Sequence, residues 1–320
     1  MTKMFLNIFL VLFFFLNLSN ANASRYFLIE ENSTLIGSTK TINADERDTL
    51  LDIGRAHGFG IQDIKLVNQN VDTWLPKDGE EILLPSYFIL PVAPKIGIVL
   101  NVPEMRLYYY PPKVDGKLQD VYTYPLGVGR QGWNTPYIKT TIVEKKVKPN
   151  WYPPLSIRQE HEEAGDPLPK IVKPGPDNPL GSYAMRLGRR DYLIHGTNKP
   201  YGIGMRISHG CIRLYPEDIK ELFSKVSLDT PVNIINQPYK IGIKENVIYL
   251  EAHPFLDEDK EKYENNLTSV IALVIKISKN RNYQLDMAAA YDAIKKPTGL
   301  PVPIGLFVSP EKNIESHSNI

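Results

Sequence analysis

Short alternating runs of apolar and polar residues, separated by glycine and proline, fill the chain from Ile96 to about residue 236 and limit what it can fold into. They include KIGIVLNV, RLYYYP, DVYTYPLGVGR, TTIVEKKVKP, SYAMRLG and DYLIHGT. Because side chains alternate between the two faces of a strand, such runs indicate an antiparallel sheet folded as a sandwich or barrel. Only residues 215–226 (YPEDIKELFSKV) show the spacing of apolar residues typical of a helix there, with proline and acidic residues in the first turn. The prediction is a mainly β fold with one covering helix.

The first 23 residues carry an export signal. Lys3 precedes the apolar run FLNIFLVLFFFLNL, and the small residues Ala21 and Ala23 precede Ser24. This order is typical of a cleavable signal peptide, so we predict a mature chain from about Ser24. The alternative is an uncleaved membrane anchor, which is disfavoured because the run is shorter than the roughly 20 apolar residues of a spanning helix.

Charge and cysteine content narrow the possible functions. The chain has 37 basic and 36 acidic residues, and loss of Lys3 with the signal leaves 36 of each. A neutral chain without a basic arm is not typical of a nucleic-acid-binding protein. The single cysteine has no partner for an intramolecular disulfide, and a free thiol in an exported protein favours a chemical role.

Two further units flank the β-rich segment. Residues 24–93, with a core over 40–86, show a βααβ pattern and resemble a LysM module through DTLLDIGRAHG, LVNQN and ILLP. That resemblance implies binding to glycans containing N-acetylglucosamine, and a purely structural unit is the alternative. Residues 237–320 predict a small α+β domain with strand-like YKIGIKENVIYLEAH, a helix around QLDMAAAYDAIKK and a disordered polar tail.

Residues 150–181 are rich in proline, and we predict an ordered excursion without regular structure. Loops of this length are uncommon in compact domains unless they bind ligands or act as lids. Trp151, Tyr152 and Asn178 are candidates to line a substrate channel, and the alternative is a surface decoration.

Reactive residues concentrate between residues 194 and 214. This segment, IHGTNKPYGIGMRISHGCIRL, holds two of the six histidines, four glycines and the only cysteine. A thiol with a pKa of about 8.5 needs an imidazole or backbone donors to become a useful nucleophile. We therefore interpret Cys211 as a nucleophile, His195 as its base and His209 as a supporting residue. A buried inert cysteine and a zinc site of His195, His209 and Cys211 are the alternatives, although the second lacks a clear fourth ligand.

These motifs resemble the catalytic domain of L,D-transpeptidases, the YkuD domain. The likeness rests on IHGTN, a glycine-containing spacer and SHGCIRL, with support from YPLGVGR before Thr135-Pro136, from PGPDNPLG and from EDIKELF. It covers residues 94–236, and the flanking units extend it to the ErfK/YbiS/YcfS/YnhG group of periplasmic enzymes. The resemblance implies a β-sandwich or barrel-like YkuD fold and a periplasmic location.

Site roles follow from the resemblance residue by residue. It implies that Cys211 is the nucleophile, that His195 is the general base, that the Gly196 carbonyl orients His195, and that His209 supports them. Ser208, Gly210 and Arg213 are candidates to bind substrate or the oxyanion. Arg213 either holds a substrate carboxylate or braces the loop.

The implied reaction is acyl transfer on peptidoglycan tetrapeptide stems, without metal or organic cofactor. Cys211 would attack the carbonyl of meso-diaminopimelate and release D-Ala, leaving a thioester, and a carbapenem would acylate the same thiol. The acceptor is either the C-terminal lysine of an outer-membrane lipoprotein, which we favour, or a second diaminopimelate, which gives a 3-3 cross-link. A papain-like peptidase is disfavoured by the residue order. A non-catalytic peptidoglycan-binding protein would leave both motifs without a role.

Overall fold

The computed structural model describes residues 26–29, 34–189, 192–279 and 281–308. The predicted signal peptide and the polar tail after residue 308 lie outside these described residues. Within them, no helix has the length and apolar character needed to cross a bilayer.

The N-terminal segment contains two short pairs of antiparallel strands and two helices. Its elements are β1 (Tyr26–Ile29), β2 (Leu35–Gly37), β3 (Lys40–Asn43), α1 (Leu50–His57), α2 (Ile61–Val67), β4 (Glu81–Leu84) and β5 (Tyr87–Ile89). Strand β2 pairs with β5 and β3 with β4, both antiparallel. A reciprocal capping box between Thr49 and Asp52 starts α1, and Gly58 ends it in the left-handed conformation at φ 77°.

The middle segment supplies most of the main sheet. Its elements are β6 (Gly97–Asn101), β7 (Arg106–Tyr110), β8 (Gln119–Pro125), β9 (Val128–Gly129), β10 (Lys139–Val147), α3 (Leu155–Glu163), β11 (Tyr183–Leu187), β12 (Leu193–His195), β13 (Arg206–Ser208), β14 (Ile212–Arg213), α4 (Pro216–Lys225) and β15 (Pro231–Ile235). Nine strands form one sheet in the order β1-β8-β7-β6-β15-β10-β11-β12-β14, and β9 pairs separately with β13. The prediction of a mainly β fold is confirmed, and α4 covers the sheet through buried Ile219 and Leu222.

Strands β6 and β7 are buried on both faces because two cores share them. One face gives Leu100 and Leu107 to a core that also contains α4. The opposite face gives Val99 and Tyr108 to the core of the N-terminal segment. The first unit therefore packs on the outer face of the main sheet, and β1 extends that sheet by pairing with β8.

The C-terminal segment adds a separate four-stranded sheet and three helices. Its elements are β16 (Tyr239–Lys244), β17 (Val247–Ala252), α5 (Lys260–Tyr263), α6 (Thr268–Ser278), β18 (Tyr283–Leu285), α7 (Met287–Lys295) and β19 (Pro301–Phe307), with strand order β16-β17-β19-β18. The strand-like segment YKIGIKENVIYLEAH is observed as the antiparallel pair β16 and β17, and the predicted helix near residue 290 is observed as α7. Sequence reasoning missed α6, whose β-branched residues favour strands but whose Val270, Val274 and Ser278 share one buried face.

A buried charged cluster joins this segment to the rest of the molecule. Lys240 Nζ lies 2.9 Å from the Glu104 carboxylate and 2.7 Å from that of Glu251, and His253 Nε2 lies 2.7 Å from the same Glu251 oxygen. The Ile89 amide donates to Glu251. Because these residues come from all three segments, the interface between them contains compensated charge as well as apolar contact.

The prediction that residues 150–181 lack regular structure is wrong. Helix α3 occupies Leu155–Glu163 and starts directly after Pro154, whose φ of −54° suits a helix entry. Proline is excluded from helix interiors, but none lies between residues 155 and 163. The proline count of the whole excursion conceals a proline-free stretch, residues 155–166, that is long enough for this nine-residue helix. The excursion, residues 150–181, is called the arm below.

Candidate active site

Neighbouring parallel strands bring the two halves of the motif together. Strand β12 ends at His195, and β14 starts at Ile212, immediately after Cys211. In their register His195 lies opposite Arg213, and the Leu214 amide donates to the His195 carbonyl over 2.9 Å. The spacer between the motifs thus returns the chain to the same edge of the sheet.

His195 is buried, with 3% of its surface exposed. Its Nδ1 lies 2.6 Å from the Gly196 carbonyl oxygen, which can only accept, so Nδ1 carries the proton and Nε2 has the lone pair. Burial, with a contribution from Arg213, lowers the pKa of His195 to about 3 against the opposing effect of the Gly196 and Leu180 carbonyls. The imidazole is therefore a neutral base at neutral pH.

Gly196 itself lies in a confined position. A Cβ there would come within 3.1 Å of the Ile219 side chain on α4 and within 3.3 Å of the Leu180 carbonyl oxygen. The residue after His195 therefore brings its backbone close to the covering helix, and its carbonyl stays available to the imidazole.

Hydrogen bonds to backbone carbonyls fix the turn that carries Cys211. The Ser208 hydroxyl donates to the Cys211 carbonyl over 2.6 Å, and the Thr135 hydroxyl donates to the Gly210 carbonyl over 3.1 Å. Gly210 has a φ of 98°, which L side chains rarely adopt. The Cys211 side chain is half-buried at the end of this turn.

Ser208, a candidate to bind substrate or the oxyanion, lies inside the turn. Its side chain is fully buried and its hydroxyl is bonded to the Cys211 carbonyl. It shapes the turn, and Thr135 does the same from the β9 side. The sequence marks Thr135 only as part of the motif that it forms with Pro136 after YPLGVGR.

His209 points to a different set of partners from His195. Its Nε2 lies 3.1 Å from a Glu160 oxygen and 3.3 Å from an Arg130 nitrogen, and its ring meets Trp133 edge-on at 4.9 Å between centroids. Glu160 belongs to α3, so the arm contacts the turn that carries Cys211, which is called the catalytic turn below in view of its predicted role. No signal in the sequence linked Glu160 to His209, because 49 residues separate them.

Arg213 places a half-buried cation beside the cysteine. Burial lowers the pKa of its guanidinium, while the neighbouring Cys211 and Tyr201 raise it. Its Nε is buried and has no hydrogen-bond partner among the described residues. An arginine in this state can still donate to an incoming anion.

The three candidate channel residues of the arm lie in different environments. Tyr152 is 62% exposed, and Trp151 pairs through its backbone with Val172 over 2.9 Å. Asn178 is fully buried, and its amide donates to the carbonyls of Pro149, Val172 and Lys173 while its oxygen accepts from the Leu180 amide. The channel role predicted for Asn178 is wrong, because every polar atom of its side chain binds backbone.

The candidate zinc ligands do not form a metal-binding group. Among the residues the structure describes, three His, Cys, Asp or Glu side chains have their possible ligand atoms within 4.8 Å of one another in one place. They are Glu104, Glu251 and His253. Lys240 already supplies a cation between its two carboxylates.

Comparison with known proteins agrees with this arrangement. Residues 95–234 match the family model of the YkuD domain, described as the L,D-transpeptidase catalytic domain. The chain is also 39% identical over 289 residues to probable L,D-transpeptidase YbiS of Escherichia coli K12, covering 89% of this chain and 93% of the relative. The chain belongs to the L,D-transpeptidase family.

Two further Escherichia coli K12 relatives support this membership. Probable L,D-transpeptidase ErfK/SrfK is 38% identical, with 88% of this chain and 91% of the relative covered. Probable L,D-transpeptidase YcfS is 41% identical, with 74% and 75% covered. The similarity to YbiS and ErfK/SrfK extends over more than nine tenths of each relative. The flanking segments, as well as the catalytic domain, are therefore shared with enzymes of this class. The predicted family and enzyme class are confirmed.

Proposed function

We propose that this L,D-transpeptidase acts on peptidoglycan tetrapeptide stems through a thioester on Cys211. The observation that carries the proposal is the neutral buried His195, whose Nδ1 is held by the Gly196 carbonyl, on the strand next to the one that follows Cys211. A neutral imidazole with a lone pair on Nε2 is the form that a general base requires.

In the proposed first step, the Cys211 thiol loses its proton to His195 Nε2 as Sγ attacks the carbonyl carbon of meso-diaminopimelate. The tetrahedral intermediate then collapses, and D-Ala leaves as an amine that takes the proton from His195. In the second step an acceptor amine attacks the thioester, and its proton returns through His195 to the Cys211 sulfur. No metal or organic cofactor enters either step.

The geometry of the turn suggests one donor for the oxyanion. The Gly210 carbonyl is directed at Thr135, and the next N–H, that of Cys211, belongs to the same planar peptide. The described residues contain no cis peptide, so this N–H points away from Thr135. We assign it to the developing negative charge, where a fixed donor stabilises the transition state.

Arg213 fits two roles in this proposal. Its charge stabilises the thiolate form of Cys211, and its unpartnered Nε is suited to a substrate carboxylate of the stem. Both roles need a cation beside the sulfur.

For the acceptor, we favour the C-terminal lysine of an outer-membrane lipoprotein over a second diaminopimelate, and we place the mature protein in the periplasm. Digestion of the cell wall of a deletion strain separates the two acceptors. Loss of lipoprotein-linked muropeptides supports our choice, and loss of 3-3 dimers with lipoprotein linkage intact contradicts it.

We also propose that residues 24–93 hold glycan strands. Trp74 and Leu75, in the connection between α2 and β4, are 64% and 74% exposed. The exposed indole of Trp74 is suited to stacking on a sugar ring, and the apolar side chain of Leu75 extends the same surface. Sedimentation with purified peptidoglycan should retain the wild type and release a Trp74→Ala, Leu75→Ala double variant.

Intact mass spectrometry tests the thioester. The protein, incubated with a disaccharide tetrapeptide and quenched in acid, should gain one acyl mass while D-Ala appears in solution, and a carbapenem should give one stable adduct. The Cys211→Ala variant should show none of these. An adduct or D-Ala release that persists in Cys211→Ala would reject the assignment and indicate another nucleophile. A wild type that gains no acyl mass and releases no D-Ala would favour a non-catalytic wall-binding protein.

A further inference from the structure

Two side chains of opposite hydrogen-bonding character compete for one nitrogen of His209. Glu160 Oε2 lies 3.1 Å from His209 Nε2 and can only accept, whereas the Arg130 guanidinium lies 3.3 Å away and can only donate. The same Arg130 nitrogen lies 2.7 Å from both Glu160 oxygens. All three groups meet at the contact between the arm and the catalytic turn.

We propose that Glu160 is a positioning residue for the transpeptidase reaction, which sets the tautomer and orientation of His209 beside the nucleophile. The proposal rests on the function proposed above and adds the arm to the working parts of the site. Glu160 touches no reacting atom and acts through His209.

The tautomer follows from the identity of the partners. An imidazole nitrogen bonded to a carboxylate must carry a proton, so Glu160 places the hydrogen on Nε2 and leaves the lone pair on Nδ1. Without Glu160, the Arg130 guanidinium is the remaining neighbour of Nε2 and donates to it. The proton would then move to Nδ1, and the polarity of the ring would reverse.

The His209 imidazole is neutral at neutral pH, so its state is a question of tautomer. Burial lowers its pKa, and the nearby cations of Arg130 and Arg213 act in the same direction, while Glu160 opposes them. A neutral imidazole has two tautomers, and the hydrogen bond at one nitrogen decides between them. Glu160 therefore affects which nitrogen of His209 carries the proton more than it affects the charge of the ring.

The position of the ring is coupled to the turn. His209 is held between Ser208, whose carbonyl accepts from the Arg130 amide over 2.9 Å, and Gly210, whose carbonyl accepts from Thr135. Its ring packs edge-on against Trp133. Loss of Glu160 therefore removes one of the contacts that hold this ring against Trp133, next to the Gly210–Cys211 peptide.

The contribution of Glu160 to stability is small by comparison. The side chains of Glu160 and Arg130 are each 40% exposed, and ion pairs at that exposure contribute little to the folding free energy. A loss of activity in a Glu160 variant therefore reports on the site and not on unfolding. Glu163, an exposed carboxylate at the end of the same helix, provides a matched control.

The first measurement is the 15N NMR spectrum of the imidazoles at neutral pH, with His209 assigned through a His209→Asn variant. We expect the Nε2–H tautomer in the wild type, in Glu163→Ala and in Glu160→Gln, whose amide oxygen still accepts. We expect Nδ1–H in Glu160→Ala, and a return to Nε2–H when Arg130→Met is added to it. A Glu160→Ala spectrum that keeps Nε2–H overturns the proposal.

The second measurement is the rate of Cys211 acylation by a carbapenem. Misplacement of groups near a reacting centre by about 1 Å can reduce rates up to about a hundredfold, so we expect Glu160→Ala to acylate about ten- to a hundredfold more slowly. Glu160→Gln should retain most of the wild-type rate. Equal rates in the wild type and Glu160→Ala overturn the positioning role and leave the proposed function intact, whereas a wild type that is never acylated rejects the proposed function itself.

Discussion

The neutral state of buried His195 leads to a quantitative prediction about stability and pH. Its pKa is about 3 in the folded protein, chiefly because burial disfavours the charged imidazole, and 6.5 is its ordinary value. Above pH 6.5 the residue is neutral in both the folded and unfolded states. Below pH 6.5 the unfolded chain binds a proton that the folded protein excludes, so the free energy of unfolding falls as the pH is lowered towards 3.

The size of the effect follows from the difference between the two pKa values. Each pH unit between 6.5 and about 3 removes about 1.4 kcal/mol of stability through this residue. At pH 5 the loss is about 2 kcal/mol, and below pH 3 it approaches about 5 kcal/mol. The value at pH 5 depends little on the exact folded pKa, because the folded residue is still neutral there.

Urea unfolding of the wild type and of a His195→Asn variant, each at pH 7.5 and pH 5, isolates this term. Other histidines with lowered pKa values, such as His57 and His209, are common to both proteins and cancel in the double difference. We expect the wild type to lose about 2 kcal/mol more than the variant on acidification. Parallel losses, or an NMR titration of His195 with a midpoint near 6.5, would refute the assignment of a neutral buried base.

Three further substitutions test how the fold supports the site. Asn178→Ala should destabilise the protein by about 2 to 3 kcal/mol in thermal or urea unfolding, because it leaves buried carbonyls and an amide of the arm unpaired. Gly204→Ala should be strongly destabilising, since φ there is 85° and a Cβ would lie 2.5 Å from the backbone nitrogen of Ile61. Gly79 is the control, because its φ is 73° but a Cβ there would meet open space. Gly79→Ala should therefore show only the smaller conformational cost. Lys240→Met should reduce stability by about 3 to 5 kcal/mol in urea unfolding, because it removes the cation that lies between two buried carboxylates.

Local signals in the sequence were sufficient for elements whose causes are local. The predicted helix at 215–226 is observed as Pro216–Lys225, because proline at its start, acidic residues in its first turn and one apolar face all lie within it. The strand runs of the middle segment were predictable for the same reason. Helix α3 was missed because composition was averaged over the whole arm, while its actual limits depend on the positions of single prolines.

Contacts between distant residues were beyond the reach of sequence reasoning. A free thiol and two histidines in one segment suggest a catalytic site, but nothing marks Glu160 as the partner of His209. The burial of Lys240 between two carboxylates from different segments was equally hidden, since all three residues would be ordinary surface charges by composition. Tertiary structure alone decides which charges become buried pairs.

The spacer between His195 and Cys211 is supported by both flanking segments. The Ile61 amide at the start of α2 donates to the Ile203 carbonyl over 3.2 Å, and the Glu258 carboxylate of the C-terminal segment accepts from both terminal nitrogens of Arg206 at 3.2 and 3.3 Å.

Arg206 begins β13, that strand ends at Ser208, and the Ser208 hydroxyl holds the carbonyl of Cys211. A continuous path through the Arg206–Glu258 ion pair, one short strand and the Ser208 hydroxyl therefore connects the C-terminal segment to Cys211. The flanking segments therefore contribute hydrogen bonds to the scaffold of the active site as well as to the overall architecture.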